Sequence, residues 1–198
     1  MINNLKLFSE ITLSTLLATC FTAQAHKLPN IQQGSLRAPA QIKIDGKATE
    51  WGSQLQAYNK ATGIYYTLAN DDDNLYLAIQ AKDPLIIRKV LTGGVVFSIN
   101  RSVKKDDKQV SLTFPLLATN LSNGIVNYWD QRAGLADKPD NIYQRDSLLL
   151  LTNTTLINGL KEIKVKGVRQ FADTILSVYN NAGIQARALF DADNALTC

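Results

Sequence analysis

Apolar and polar residues alternate with a period of two through most of this chain, and this pattern constrains the fold more than any other feature. Successive side chains of a β-strand point to opposite faces, so such a segment has one buried side and one solvent-facing side. Strands with one wet face are typical of antiparallel sheets. The alternation predicts strands at residues 41–44, 63–69, 75–81, 95–99, 109–114, 162–168, 174–179 and 184–190.

Two segments depart from this alternation. Residues 146–160 (DSLLLLTNTTLINGL) carry leucines at helical spacing, and Asp146 or Ser147 can cap a helix at its start. Residues 116–145 are rich in Gly, Asn and Asp and predict long loops across one end of the sheet. The predicted fold class is therefore all-β, a single antiparallel, jelly-roll-like β-sandwich with one short helix.

Two runs of Asn, Asp and Gly predict reversals of the chain. Residues 70–74 (NDDDN) join two predicted strands, and Asn and Asp side chains accept hydrogen bonds from the backbone of their own turn. The adjacent carboxylates of Asp71, Asp72 and Asp73 also offer the hard oxygen ligands that Ca²⁺ prefers, without the spacing of an EF-hand. A plain turn and a calcium site both stay open. Residues 180–183 (NNAG) predict a hairpin between the last two predicted strands.

The first 25 residues have the features of an export signal. An apolar stretch at residues 11–21 is too short to cross a bilayer, and Ala23 and Ala25 provide the small residues of a cleavage site. We therefore expect residues 1–25 to be a signal peptide and residues 26–198 to form one domain, secreted or held in the periplasm or cell envelope. An alternative is lipoprotein processing, with a lipid anchor on Cys20. No other segment is apolar enough to span a membrane.

The end of the chain predicts one more strand. Asp193 and Asn194 are typical turn residues, and residues 195–198 begin an alternation of only four residues. The alternative is a fragment whose last strands are missing, which would leave an exposed sheet edge.

The residue inventory excludes most catalytic chemistry. His26 is the only histidine and starts the expected mature domain, so a Ser-His-Asp triad or a histidine-ligated zinc has no base or ligand within the domain. No P-loop, G-x-S-x-G or H-E-x-x-H motif occurs. The formal net charge is only +4, and the densest basic group, at residues 101–108, includes Asp106 and Asp107. It indicates a solvated hairpin end, so nucleic acid is not an expected partner.

Aromatic side chains are the remaining candidates for ligand binding. Sugar rings stack on Trp and Tyr, while polar neighbours bond the hydroxyl groups. Trp129 lies among Tyr128, Asp130 and Arg132 in a predicted loop, and we expect these four residues to contact carbohydrate. The alternative for Trp129 is a structural ring that closes one end of the sandwich. Trp51 follows a predicted strand and is expected to be buried.

Several short motifs resemble the family 9 carbohydrate-binding modules and the related DOMON-like β-sandwiches. In that pattern an Ile-Asp-Gly turn is followed by a Trp, and a hairpin of two Asp residues leads into Leu-Tyr and a later Asp. The matching segments cover about the first third of the mature chain, at residues 42–46 (IKIDG), 50–51 (EW), 68–77 (LANDDDNLYL) and 82–83 (KD).

The resemblance implies a secreted or envelope-bound sandwich that binds glycans, often alongside calcium. It also implies structural roles for the matching residues: Asp45 and Gly46 turn the chain, Trp51 packs, and Tyr76 belongs to the hairpin. We therefore predict an exported, non-catalytic carbohydrate-binding module that recognises a polysaccharide or its chain end. The alternative is a structural or interaction β-sandwich of a cell-envelope protein that has no sugar site.

Overall fold

The described residues form two β-sheets and three α-helices. A computed structural model describes residues 27–52, 55–100, 109–135, 139–169 and 172–198. The predicted signal peptide with Cys20, together with His26 and the basic group at residues 101–108, lies outside these described residues. None of the helices in the described ranges has the length and hydropathy needed to cross a bilayer.

The first sheet is built around one long hairpin. Its central strands β3 and β4 pair antiparallel over seven residues each, with Asn70 opposite Leu75 at the turn. The sheet order is β1-β3-β4-β10-β9, and β2 also pairs with β3. Its strands are β1 (Leu36–Arg37), β2 (Ala57–Asn59), β3 (Ile64–Asn70), β4 (Leu75–Ala81), β9 (Leu189–Phe190) and β10 (Leu196–Thr197).

The second sheet is a four-stranded antiparallel meander in the order β5-β6-β7-β8. Two helices stand between its second and third strands, so β6 and β7 pair across a long insertion. Its strands are β5 (Val95–Ile99), β6 (Val110–Phe114), β7 (Glu162–Lys166) and β8 (Thr174–Ser177).

The helices are α1 (Pro84–Gly93), α2 (Thr119–Ala133) and α3 (Ile142–Gly159). Helix α1 begins where the Asp83 carboxylate accepts the backbone N–H groups of Leu85 and Ile86, with Pro84 in the first turn, where its missing N–H costs nothing. It ends at Gly94, which has a positive φ of 71°. A Cβ at Gly94 would lie 2.7 Å from the Pro115 carbonyl oxygen, so a side chain does not fit there.

The number of helices needs correction, because the sequence analysis predicted one α-helix and the described residues form three. The helix predicted at residues 146–160 is confirmed as α3, but the loops predicted at residues 116–145 are wrong. Helix α2 occupies this segment because Ser122, Ile125 and Trp129 recur at helical spacing and are all buried. Polar residues between them hid that face. The two sheets confirm a β-rich fold, whereas the all-β class is too narrow.

Two predicted strands also need correction. Residues 41–44 form no strand, and of residues 184–190 only β9 is a strand. The turn at residues 180–183 exists, since the Asn180 side chain bonds backbone groups of Ala182 and Ile184. It does not close a hairpin, because β8 pairs with β7 while β9 pairs with β10 in the other sheet. The turn therefore carries the chain from one sheet to the other.

The largest hydrophobic core lies between the helices and one end of the first sheet. It includes Ile87 and Leu91 of α1, Ile125 and Trp129 of α2, Leu156 of α3, and Phe190 and Leu196 of the sheet. A second, smaller core of Ile163, Val165 and Val178 lies against the second sheet. The helices therefore cover only part of the surface that the two sheets offer.

One amide side chain fastens α3 to the edge of the first sheet. The Asn153 Nδ2 group donates to the Phe190 carbonyl oxygen at 2.9 Å, and Asn153 Oδ1 accepts the Phe190 backbone N–H at 2.8 Å. Strand β9 is two residues long, and Phe190 is buried. Its backbone groups would otherwise lack bonding partners, which is costly in a core.

We expect Asn153→Ala to lower the free energy of unfolding by about 2 kcal/mol, because it removes both bonds and leaves the buried Phe190 backbone groups unsatisfied. Asn158→Ala is the matched control, since Asn158 is exposed on the same helix. Its effect should stay within about 0.5 kcal/mol. Urea unfolding followed by circular dichroism measures both variants, and equal effects would contradict this role of Asn153.

Candidate functional site

The predicted sugar contact Trp129 has no free ring face. The residue lies within α2, not in a loop, and only 4% of its surface is exposed. Its indole Nε1–H donates to the Asn194 carbonyl oxygen at 3.0 Å, and its ring packs 6.2 Å from the ring of Phe190. Stacking on a sugar requires an accessible face. The structure therefore places Trp129 as a structural ring, which was the alternative.

Arg132, a second predicted sugar contact, is also buried and bonds the same segment of the chain as Trp129. Its guanidinium donates to the carbonyl oxygens of Arg145 at 3.2 Å and Ala192 at 2.8 Å, and it also bonds the side chain of Asn194. Desolvation lowers its pKa below the ordinary value, and the charge of Arg145 acts in the same direction. Trp129 and Arg132 are three positions apart on one helical face, so both hold the turn at residues 191–195.

The other two predicted contacts lie elsewhere around α2. Asp130 forms an ion pair with Arg88 of α1 at 2.6 Å, and this pair is half exposed. Tyr128 is half-buried on α2. The four residues therefore do not converge on one ligand surface, because neighbouring positions of a helix point in different directions.

The acidic turn is organised by its own carboxylates. Asp71 Oδ1 accepts the backbone N–H groups of Asp73 at 2.8 Å and Asn74 at 2.6 Å, and Asp71 Oδ2 accepts the Tyr76 hydroxyl at 2.6 Å. The Tyr76 bond is the largest cause that lowers the pKa of Asp71 to about 2, followed by the Asp73 bond. These contacts match the predicted turn.

The three carboxylates do not form a preassembled calcium site. Asp72 pairs with Arg37 at 2.7 Å on the surface, while Asp71 bonds the turn. Within the described ranges, no group of three or more Asp, Glu, His or Cys residues has the arrangement of a metal site. The calcium role of Asp71, Asp72 and Asp73 stays a prediction without a preformed set of ligands.

A cleft lined by both sheets is a concave site of the described structure. It has a volume of about 290 Å³, close to the lower end of the usual range for small-molecule sites. Residues of β4 line it together with residues of β5, β6 and β7 and the segment at residues 184–187. Its apolar lining includes Leu77, Ile79, Val95, Phe97, Leu112 and Ile163.

Two aromatic rings and several polar side chains border this inter-sheet cleft. Trp51 and Tyr76 both line it and are half-buried, so the expectation that Trp51 is buried is only partly met. Lys43, Lys47 and Gln185 also line it and are exposed, which places them at its opening. These residues provide rings for stacking and donors for hydrogen bonds.

Arg187 is held in place beside the cleft. Its guanidinium lies 4.9 Å from the centre of the Tyr179 ring, and its NH1 group donates to the Ala186 carbonyl oxygen at 3.1 Å. A cation over an aromatic face is attracted by the ring and loses part of its freedom. This group is therefore oriented before any ligand arrives.

The turn at Asp45 and Gly46 positions the lysines of the opening. Asp45 Oδ1 accepts the backbone N–H of Lys47 at 2.9 Å, and Gly46 has a positive φ of 83°. A Cβ at Gly46 would lie 2.9 Å from backbone atoms of Ala188 and Leu189, so only glycine fits. The structural roles that the resemblance implied for Asp45 and Gly46 therefore agree with their geometry.

Cys198 is one of the residues that line the cleft, and it also packs against the main core. The backbone of Cys198 pairs with Ile79 of β4 through bonds of 2.9 and 3.0 Å, so the end of the chain is fixed against the sheet. The residue is partly exposed as a whole, but desolvation of the thiol raises its pKa to about 12.

The sequence analysis missed most of this cleft. The alternation correctly predicted β4 to β7, whose inner side chains form the lining. It did not indicate which inner side chains would remain partly uncovered, because this depends on how far the helices and the other sheet extend. The resemblance to known carbohydrate-binding modules did indicate Asp45, Gly46, Trp51 and Tyr76. All four lie at or beside the cleft.

Comparison of the chain with models of protein families, with curated proteins and with solved structures found no match.

We expect Tyr76→Phe to weaken the acid dependence of stability. The folded-state pKa of Asp71 lies below its ordinary value of 3.8, so the unfolded chain takes up this proton first as the pH falls. The stability that Asp71 contributes is therefore complete above about pH 4 and is lost as the pH falls toward about 2. Thermal melts across that window should show a shallower decline for Tyr76→Phe.

Tyr65→Phe is the matched control, since the Tyr65 ring packs on Tyr58 in the neighbouring strand. It should leave the slope between about pH 4 and about 2 unchanged. Identical slopes for wild type and Tyr76→Phe would contradict the role of the Tyr76 hydroxyl.

The Cys198 thiol should react slowly in the folded protein. The thiolate is the nucleophile, and raising the pKa from 9.0 to about 12 lowers the thiolate fraction near neutral pH about a thousandfold. We expect a thiol reagent to label a Cys20→Ser chain far more slowly in buffer than in urea, with the reaction followed by absorbance. Equal rates in both conditions would contradict a desolvated thiol.

Proposed function

We propose that this chain is an exported, non-catalytic β-sandwich that binds carbohydrate at the opening of the inter-sheet cleft. One observation carries the proposal: the cleft borders bring Trp51 and Tyr76 together with Lys43, Lys47 and Gln185. Aromatic rings with nearby hydrogen-bond donors are the chemistry that recognises sugar rings and their hydroxyls. The proposed site thus replaces the one predicted around Trp129, whose ring is buried.

The sandwich arrangement is part of this proposal. A mixed sheet and an antiparallel sheet contribute residues to a single cavity, which is expected where sheets face one another. Export rests on the features of residues 1–25, and the glycan ligand rests on the resemblance to family 9 carbohydrate-binding modules. The turn residues that carry this resemblance, Asp45 and Gly46, directly precede Lys47 at the opening.

The alternative, an interaction module of the cell envelope without a sugar site, is favoured by one surface. Tyr143, Leu150 and Ile157 of α3 are 88%, 70% and 41% exposed. They recur every seven residues, so they lie along one side of the helix. Exposed apolar stripes of this kind are often interaction surfaces.

We expect Trp51→Ala to abolish most retention on polysaccharide. Loss of one stacking ring costs a shallow sugar site much of its affinity, so we expect about a tenfold loss. Pull-down on insoluble polysaccharides, followed by a glycan array, measures this. Trp129→Phe should keep the binding of wild type if it folds, since Trp129 faces the core.

Tyr143→Ala is the matched surface control, because Tyr143 is the most exposed residue of the α3 stripe. Glycan retention that survives Tyr143→Ala but not Trp51→Ala supports the proposed site. Retention that is absent in wild type, or unchanged in Trp51→Ala, would overturn it in favour of the interaction module.

A further inference from the structure

The interior of the cleft has a chemistry that a neutral glycan does not use. Beyond the polar opening, apolar side chains form the walls. Leu77, Phe97 and Leu112 are only half-buried because they face the cavity. Leu75 at one border is 48% exposed. Removing such surface from water is favourable, so this interior favours an apolar group.

The charged side chains that line the cleft are cationic, although the Asp71 carboxylate, which is not among the lining residues, accepts the Tyr76 hydroxyl at the border. Lys43, Lys47 and Arg187 are the ionisable cations that line it, and no Asp or Glu among the described residues does so. Asp45 lies between the two lysines in sequence, but its carboxylate bonds the turn backbone. A group of cations beside an apolar cavity attracts an anion and repels a cation, and the low-dielectric wall strengthens the effect.

We infer that the inter-sheet cleft contains a second subsite, which receives the apolar chain of an anionic amphiphile and holds its negative group near Lys43, Lys47 and Arg187. This inference rests on the proposed function, because the sugar-binding opening and the apolar subsite are parts of one cleft. The ligand class that satisfies both parts is an acidic glycan or sugar acid that bears an alkyl or aryl chain.

The dimensions fit a chain of moderate length. A volume of about 290 Å³ exceeds the space of a single water molecule, about 30 Å³, several times over, so the cavity can hold a short hydrocarbon chain. Buried Ile79 and Ile163 belong to its wall, which places the apolar end inside and the charged end at the exposed lysines.

Titration calorimetry of the whole chain with matched probes tests the inference. Decanoate carries an alkyl chain and a carboxylate, decyltrimethylammonium has an alkyl chain of similar length with a positive head group, and decyl maltoside has such a chain with a neutral sugar. We expect decanoate to bind at least about tenfold more tightly than the cationic probe, because their alkyl chains are similar and their head groups have opposite charges. Equal affinities, or no binding of decanoate, would overturn the inference.

Two glutamate substitutions locate the subsite. Leu75→Glu puts a negative charge at the border of the cleft and should weaken decanoate binding about tenfold. Val96→Glu is the matched control, because Val96 is 61% exposed on β5 and does not line the cleft. Lys43→Gln combined with Lys47→Gln changes only exposed side chains and should also reduce decanoate affinity. Melting temperatures confirm that each variant is folded.

Failure of this inference can be told apart from failure of the proposed function. Polysaccharide retention lost in Trp51→Ala, without decanoate binding, would support the sugar opening and overturn the apolar subsite. Decanoate binding that Leu75→Glu weakens, without any polysaccharide retention, would support the subsite and overturn the glycan proposal. Decanoate affinity that falls equally in Leu75→Glu and Val96→Glu would overturn the location inside the cleft.

Discussion

The anchoring of the turn at residues 191–195 by α2 is the interaction on which the rest of the structure depends. Strands β9 and β10 are two residues long and make few ladder hydrogen bonds of their own. Trp129 and Arg132 bond the carbonyl oxygens of Asn194 and Ala192, and this places Leu196 opposite Ala81 of β4. One buried helical face thus extends the first sheet by two strands and brings Cys198 to the cleft.

The cleft exists because the helices cover only part of the sheets. The main core joins α1, α2 and α3 to residues such as Ala81, Phe190 and Leu196 at one end of the first sheet. Leu77 and Phe97 lie beyond this cover and stay partly exposed. Removing the apolar surface of a concavity from water is favourable. This composition supports the proposal that the cleft binds a ligand.

The hairpin of β3 and β4 shows how far local sequence rules reach. Its alternation, its Asx turn and the bond between Asp71 and Tyr76 all lie within one continuous segment, residues 64–81, and the predicted strands agree with the observed ones. The segment of α2 shows the opposite case. Its Gly, Asn and Asp residues favour loops in isolation, and only burial of Ile125 and Trp129 against distant strands outweighs that preference.

The sequence by itself determined the central strands, helix α3 and the turns at Asp45, at Asp71 and at residues 180–183, because alternation and turn chemistry act between near neighbours. Only the tertiary structure decided that Trp129 is buried, that β8 and β9 lie in different sheets, and that a cleft remains between the two sheets. These outcomes depend on packing between segments far apart in the chain, where the competing contacts differ by small free energies that no local pattern records.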